Sequence, residues 1–399
     1  MASAQPTINT IMNWNLNESN FTFLDRLKIC KFFLNKKNFW TMADQVQVYE
    51  KAMANYVGCK HAVFVSSGST ANTILSMYLK DKSKSGIVVF PSTTWITSVS
   101  PFIREGFKPH FIDINMQDLS MDLDKLEEYL GTSSDQVACV FITSLLGFVP
   151  DIDRVKHIES TYKVKIMFDN CENTLGTYKG RNISSFFTST TSTYFGHQLQ
   201  SVEGGFIFTN DQLEYEYYLM ARNHGMVRSL PDASKIKYTN LKVDSRFDFY
   251  QLGNNFRNTN INAFIGLLDL KRVQKYINTR QKLYSLLLLQ LNSTLVTVPK
   301  MRLLNSGSNC GDVPFCIPLL FKDKESLELT KEFCNTNKIE TRPIISGNLL
   351  RQTCLKGYED PTHYPSSEYL HNYGMYIGLH SKLTNKHINK LVNFLNQFN

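Results

Sequence analysis

Apolar and polar positions along this chain follow two alternating periods. Nearly continuous apolar runs at 61–65, 87–91, 108–114, 137–143 and 164–169 are too short for helices and predict strands. Between them apolar residues recur at helical spacing. Val46, Tyr49, Met53 and Tyr56 share one face of a helix over 45–56. Further helices are predicted to run through Leu79 and over 97–105, 123–130 and 152–162. Strands that are apolar throughout, separated by amphipathic helices, imply an α/β fold with a large, mostly parallel sheet sandwiched by helices. One more apolar strand, 206–209, follows the turn Glu203-Gly204-Gly205 directly. Paired glycines there suggest backbone approaching something closely, either a neighbouring strand or a bound ring.

The rhythm changes after Arg222-Asn-His-Gly225. A polar stretch over 229–246 predicts an exposed loop, and a long helix is expected over 261–291. The remainder reads strand, helix, strand, helix at 315–321, 326–336, 340–345 and 385–398. This pattern predicts a large α/β domain over 1–260, opening with a polar and then helical segment, and a small C-terminal α+β domain over 261–399.

Composition narrows the function classes. The 399 residues are 42% hydrophobic and 20% charged, with a net charge of +8, ordinary for a protein with a large buried core. The densest basic run, 31–37, mixes Lys31, Lys36 and Lys37 with Phe32, Phe33 and Leu34. It reads as a solvated helix face, so no nucleic-acid partner is expected. Residues 1–20 are polar and lack a secretory pattern, and the apolar run 283–291 is shorter than the ~20 residues a bilayer requires. A soluble, cytoplasmic protein without a membrane partner is predicted, and the Asn-x-Ser/Thr sequences at Asn17, Asn20, Asn182 and Asn292 are read as chance. The eight cysteines are scattered, and only Cys310 and Cys316 lie close together. Neither a zinc site nor an iron–sulfur cluster is expected, only buried free thiols in a reducing compartment.

Candidate chemistry falls at the carboxyl ends of the predicted strands, where parallel sheets bind ligands. The turn Ser66-Ser-Gly-Ser-Thr-Ala-Asn72 passes from strand to helix, which suits either an anion on free N–H groups or an ordinary helix cap. Trp95 follows Pro91-Ser-Thr-Thr94 as a core aromatic or a stacking surface for a flat ring. Asp169 is a helix cap, a metal ligand, or the partner of a cationic ring nitrogen, with Asn170-Cys-Glu172 beside it. His197 is the remaining candidate.

The segment Ser192-Thr-Tyr-Phe-Gly-His-Gln-Leu-Gln-Ser-Val-Glu-Gly-Gly205 resembles the lysine-bearing strand of the sugar aminotransferases, a family of fold-type-I pyridoxal phosphate (PLP) enzymes. In that family a serine precedes the cofactor-binding lysine by five residues and Glu-Gly-Gly follows. Here the serine is Ser192 and the lysine position holds His197, with no lysine anywhere between Lys179 and Lys235. The resemblance runs from about Thr41 to Phe398. It implies that Gly68, Ser69 and Ser192 hold the PLP phosphate, Trp95 stacks on the ring and Asp169 pairs with its nitrogen. It also implies a homodimer with shared active sites, Asn255 of the Asn-x-Arg motif with Arg257 being donated across the interface. Histidine in place of lysine, and Asp169-Asn-Cys-Glu172 where glutamine is usual at the end, resemble the branch that dehydrates 4-keto-6-deoxy sugar nucleotides at C3. Arg222-Asn-His-Gly225, Thr341-Arg-Pro-Ile-Ile-Ser-Gly-Asn348 and Tyr376-Ile-Gly-Leu-His380 are similar to that branch too.

A lysine at 197 would both anchor PLP and carry a proton, whereas an imidazole can only carry the proton. The resemblance therefore implies a cofactor held non-covalently that works as pyridoxamine phosphate (PMP), is regenerated by L-glutamate, and needs no iron–sulfur cluster. Its expected substrate is a nucleotide-linked 4-keto-6-deoxyhexose, GDP-4-keto-6-deoxymannose being favoured. His197 is expected to be the base and Asp169 to keep the ring electron-withdrawing, with Glu172 and His224 near the reacting groups. Arg342, and Arg257 beside Asn255, are candidates for substrate binding, although Arg342 equally suits a solvent-facing charge. The spacer Gln198-Leu-Gln-Ser-Val202 departs from the family's threonine- and glycine-rich one, which bears on the pocket wall and substrate identity. The alternatives are an enzyme acting on a CDP-, UDP- or dTDP-linked keto sugar and a catalytically inactive PLP-binding homologue.

Overall fold

The computed structural model describes residues 12–83 and 86–398, so the first part of the polar opening stretch lies outside the described residues. The large sheet is built from β1 His61–Val65, β2 Ile87–Pro91, β3 Lys108–Ile112, β4 Val137–Thr143 and β5 Ile166–Asp169. After a small hairpin, β6 Thr177–Tyr178 and β7 Arg181–Asn182, it adds β8 Thr188–Ser192 and β9 Gly205–Thr209. The strand order is β1-β9-β8-β5-β4-β2-β3, and only the pairings of β9 are antiparallel. Alternate residues of one strand feed opposite cores. Phe141 packs with Phe90 and Phe102 on one face, and Val140 and Ile142 with Ile152 and Val155 on the other. That two-sided burial is why the strands read as unbroken apolar runs.

Helices begin where the sequence offers caps. Ser67 and Thr70 form a capping box for Gly68–Lys82, and Asp122 and Asp151 cap Leu123–Ser133 and Ile152–Tyr162. Of the paired glycines, Gly204 precedes β9 and Gly205 opens it, and both pack against the protein itself. A Cβ on Gly205 would lie 2.5 Å from the Gly68 nitrogen, and one on Gly204 would lie 2.5 Å from the Phe64 ring.

Three expectations need correction. The helix foreseen over 261–291 is two helices, Asn260–Leu270 and Val273–Gln290. No proline or glycine marks the break. Arg272 leaves the helical path to reach Asp25, Asp269 and the Tyr276 hydroxyl. The polar stretch 229–246 contains a helix, Asp232–Tyr238, docked on Glu216 through Ser234 and Tyr238. Finally, the C-terminal alternation missed the helix Pro365–Tyr373 and the strand that follows it.

That strand completes a second sheet. Its members are β10 Val296–Thr297, β12 Cys316–Phe321, β13 Thr341–Pro343 and β14 Gly374–Gly378, while β11 Cys310–Gly311 pairs with the β6 hairpin instead. The order β10-β12-β14-β13 is antiparallel throughout. Trp14, fully buried, joins the core of this sheet. Among the described residues no helix is long and apolar enough to cross a membrane.

Candidate active site

A cavity of about 400 Å³ opens between the carboxyl edge of the large sheet and the second sheet, a size suited to a cofactor and part of a substrate. Gly68, Ser69, Trp95, Asp169, Glu172, Ser192, His197 and Arg342 all line it. The structure does not bring His224, Asn255 and Arg257 into that lining. His224 sits at a left-handed turn (φ 61°), its N–H donating to the Asn254 carbonyl, and Asn255 is exposed and accepts from Arg257 Nε at 2.9 Å.

At one end of the cavity the helix Gly68–Lys82 begins. N–H groups of a first turn have no acceptor within their own helix. Gly68 packs under Ser192 so tightly that an added Cβ would lie 3.1 Å from the serine Cβ and 2.7 Å from Cys171 Sγ. Ser69 Oγ lies 2.9 Å from Thr97 Oγ1. Small residues are needed here because β1, β8 and the start of the helix converge.

Asp169 ends β5 and is 4% exposed. No helix follows it, so it is no cap. It accepts from Asn72 Nδ2 (2.9 Å), Ser98 Oγ (2.7 Å) and the Cys171 N–H (2.9 Å), and Thr190 orients Asn72 from behind at 2.7 Å. Among the described residues no cation pairs with it, and no group of three His, Cys, Asp or Glu is arranged to hold a metal. A buried carboxylate served only by neutral donors is suited to an incoming N–H⁺ group. Trp95, 54% exposed, is not a core residue and presents its indole to the cavity.

His197 projects from the irregular segment joining β8 to β9. Its ring meets Tyr194 and Phe315 edge-on, with centroids 5.9 and 5.6 Å away, and its buried Nδ1 has no hydrogen-bond partner. Burial pulls its pKa down to about 4; the Asp169 carboxylate opposes this and the buried Arg280 guanidinium adds to it. The imidazole is therefore neutral near pH 7 and can accept a proton. Glu172 is the converse case. Its Oε2 accepts the Leu146 N–H at 3.0 Å, and burial, reinforced by the Asp169 charge, pushes its pKa up to about 8. Near pH 7 it retains its proton.

Glu172 gives a stability prediction. Its proton is held more tightly in the folded than in the unfolded chain, so its contribution is present below its ordinary pKa and fades as pH rises toward 8. Glu172→Gln, which still accepts from Leu146, should gain on the parent between pH 5 and pH 8 by at least about 1 kcal/mol. Thermal unfolding of the cofactor-free proteins at the two pH values measures this, and a constant difference would refute it.

Residues outside the earlier candidates complete the cavity. Phe315, just before β12, and Cys316, its first residue, enter from one side, Tyr376 of β14 faces the candidate Arg342 of β13, and Leu16 and Asn17 come from early in the chain. The spacer 198–202 supplies none of the lining. Gln198 instead bonds the Leu175 N–H (3.0 Å) and the Val313 carbonyl (2.6 Å), and the Gln200 N–H donates to Asp269 (2.9 Å), so the spacer anchors the His197 segment to the protein body.

Known proteins share this architecture. The profile of the DegT/DnrJ/EryC1/StrS aminotransferase family matches residues 29–396. The chain is similar to a GDP-4-keto-6-deoxy-D-mannose 3-dehydratase of Yersinia pseudotuberculosis, at 30% identity over 90% of this chain and 92% of that one. A GDP-4-keto-6-deoxymannose 3-dehydratase solved with a trapped PLP-glutamate geminal diamine superimposes with a TM-score of 0.87 at 26% identity, over 96% of this chain and all (100%) of the other. A histidine-to-asparagine variant of such an enzyme, solved with GDP-perosamine, gives a TM-score of 0.86 at 27% identity with the same coverage, 96% and 100%.

Proposed function

Since the chain belongs to the DegT/DnrJ/EryC1/StrS aminotransferase family, with the fold-type-I architecture of PLP enzymes, we propose that it is a PMP-dependent 3-dehydratase. Its substrate is a nucleotide-linked 4-keto-6-deoxyhexose, GDP-4-keto-6-deoxymannose being favoured, and its product is the 4-keto-3,6-dideoxy sugar. One observation carries the reading: the cavity wall bears a neutral, unpartnered imidazole, His197, and among the described residues that line the cavity there is no lysine. An ordinary aminotransferase lacks its anchor under those conditions. The relatives solved with a PLP–glutamate adduct and with GDP-perosamine support the choice of cofactor, amino donor and nucleotide.

The residues present fit the cofactor. First-turn N–H groups at Gly68 and Ser69 and the Ser192 hydroxyl would hold its phosphate, Trp95 would cover the ring, and Asp169, which has no cation of its own, would pair with the ring nitrogen. When bound, the cofactor supplies an amine for the sugar's C4 ketone and a ring that accepts electrons as the C3 hydroxyl leaves. His197, neutral at working pH, removes the proton from the cofactor's C4′ carbon, and the imidazolium so formed returns it to the departing hydroxide. Glu172, holding its own proton, is the second donor at hand. Asp169 keeps a negative charge against the ring nitrogen. Arg342 supplies the positive charge of the cavity wall for the substrate's diphosphate or the carboxylate of L-glutamate. Asn255 and Arg257 lie outside the cavity of their own chain, which suits donation to a second copy in a cytoplasmic homodimer. His224 has no part in this scheme.

Incubating the protein with PLP, L-glutamate and GDP-4-keto-6-deoxymannose tests the proposal by the mass of the nucleotide sugar. Loss of one oxygen atom, with 2-oxoglutarate formed, is the expected result. Gain of an amino group would make the protein a transaminase and overturn the role of His197. An unchanged mass here and with the CDP-, UDP- and dTDP-linked sugars would leave a non-catalytic homologue.

A further inference from the structure

Residues 14–20 run as a strap across the second sheet. The Trp14 N–H donates to the Lys338 carbonyl at 2.9 Å, its carbonyl accepts from the Glu340 N–H at 2.8 Å, and its indole donates to the Gly378 carbonyl at 2.9 Å. A Cβ on Gly378 would lie 2.5 Å from the carbonyl oxygens of Asn15 and Leu16, so the strap rests directly on β14. The Leu16 N–H reaches Glu340 Oε2 at 2.8 Å, and Lys382 reaches Glu18 at 3.0 Å. From that base the strap crosses to the segment carrying His197. With its amide nitrogen toward them, the orientation that satisfies both groups, Asn17 donates to the carbonyls of Leu16 (3.0 Å) and Gly196 (2.9 Å). Gln200 Nε2 donates to the Glu18 carbonyl at 3.3 Å.

We infer that this strap is a working part of the site and that Asn17 is a positioning residue, holding the Gly196 carbonyl and through it the imidazole of His197. Among the described residues no side chain hydrogen-bonds that imidazole, whose neighbours are the Tyr194 and Phe315 rings and the Tyr194 backbone, so its direction follows its own backbone. The peptide before it joins Gly196, a residue that resists rotation poorly, to His197; its N–H donates to the Tyr194 carbonyl at 2.9 Å, and Asn17 holds its other end, the Gly196 carbonyl. Asn17 sits against that peptide: in this orientation a Cβ on Gly196 would lie 3.0 Å from the oxygen end of its amide. Because Leu16 and Asn17 also line the cavity, the strap couples the second sheet to the base it faces.

The kinetic arm of the test rests on the dehydratase reading; the chemical arm does not. Asn17→Asp keeps the shape but turns the donor into an acceptor facing a carbonyl, whereas Asn17→Gln keeps the donor. In the full-length protein Asn17→Asp should lower kcat about tenfold, with KM and cofactor affinity little changed, and Asn17→Gln should recover most of the loss. In the cofactor-free protein, carbethoxylation of His197 by diethyl pyrocarbonate, followed by peptide mass mapping, should change in rate by about threefold or more for the Asp variant and little for the Gln variant. Equal behaviour of Asp and Gln variants in the chemical arm, or a raised KM with unaltered His197 reactivity, would overturn the inference. Should the wild type dehydrate none of the keto sugars, the function reading falls and the carbethoxylation rates alone decide the role of Asn17.

Discussion

His197→Asn is expected to lower dehydration by about 10²- to 10⁴-fold while cofactor affinity stays within a few-fold of wild type. Asparagine is smaller and loses the ring-edge contacts with Tyr194 and Phe315, but it is polar and planar, and the segment stays anchored through Gln198 and Gln200, so the cavity keeps its form. What disappears is a group that gains and gives a proton near neutral pH. Of the residues proposed to hold the cofactor, Gly68 and Ser69 open a helix, Ser192 ends β8 and Asp169 ends β5, all apart from the substituted side chain, so cofactor binding should survive. Fluorescence titration with PMP and chromatographic assay of the keto sugar separate the two effects. Dehydration within a few-fold of wild type would remove His197 as the base, and joint loss of binding and turnover would make it an anchor.

The second large effect is expected at Asp169. Asp169→Asn should cost about 10²- to 10³-fold in turnover, because a neutral amide cannot hold a proton on a ring nitrogen by charge. The variant also pays structurally. Three donors, from Asn72, Ser98 and Cys171, converge on the two carboxylate oxygens, and an amide nitrogen placed among them must face at least one. A loss of about 1–3 kcal/mol in unfolding free energy is expected in the cofactor-free protein. Single-turnover kinetics and thermal melts on one preparation measure both. A variant that is less stable but fully active would reduce Asp169 to a structural residue.

Local pattern carried far in this chain. Strands β1, β2 and β4 begin and end where the apolar runs do, and the helix Ile152–Tyr162 matches its predicted span, because two-sided burial leaves unbroken apolar runs and acidic caps mark helix starts. The residues at the strand ends were legible for the same reason: once the strands are placed, Ser69, Trp95, Asp169 and Ser192 must emerge at one edge. Elsewhere local pattern failed. The break at Arg272 has no helix-breaking residue, since its cause is a carboxylate 247 positions away. The strand β14 begins and ends on glycine, so only three of its five residues carry a side chain to read as an apolar run.

The order of elements, the carboxyl-edge residues and the replacement of a lysine by His197 are properties of the chain read in one dimension, because periodicity, capping and residue identity act over a few neighbours. Only the folded molecule decided that Trp95 stands in a cavity rather than a core, and that the spacer 198–202, whose departure from the family pattern bore on the pocket wall, supplies none of it. Only there do Leu16, Asn17 and Phe315 close the site, each brought by contacts across more than a hundred residues. The protonation states of the cavity wall, a neutral imidazole and a neutral carboxyl, belong to the same class. Nothing in His197 or Glu172 as residues shifts their titration; burial beside one another's charged neighbours does.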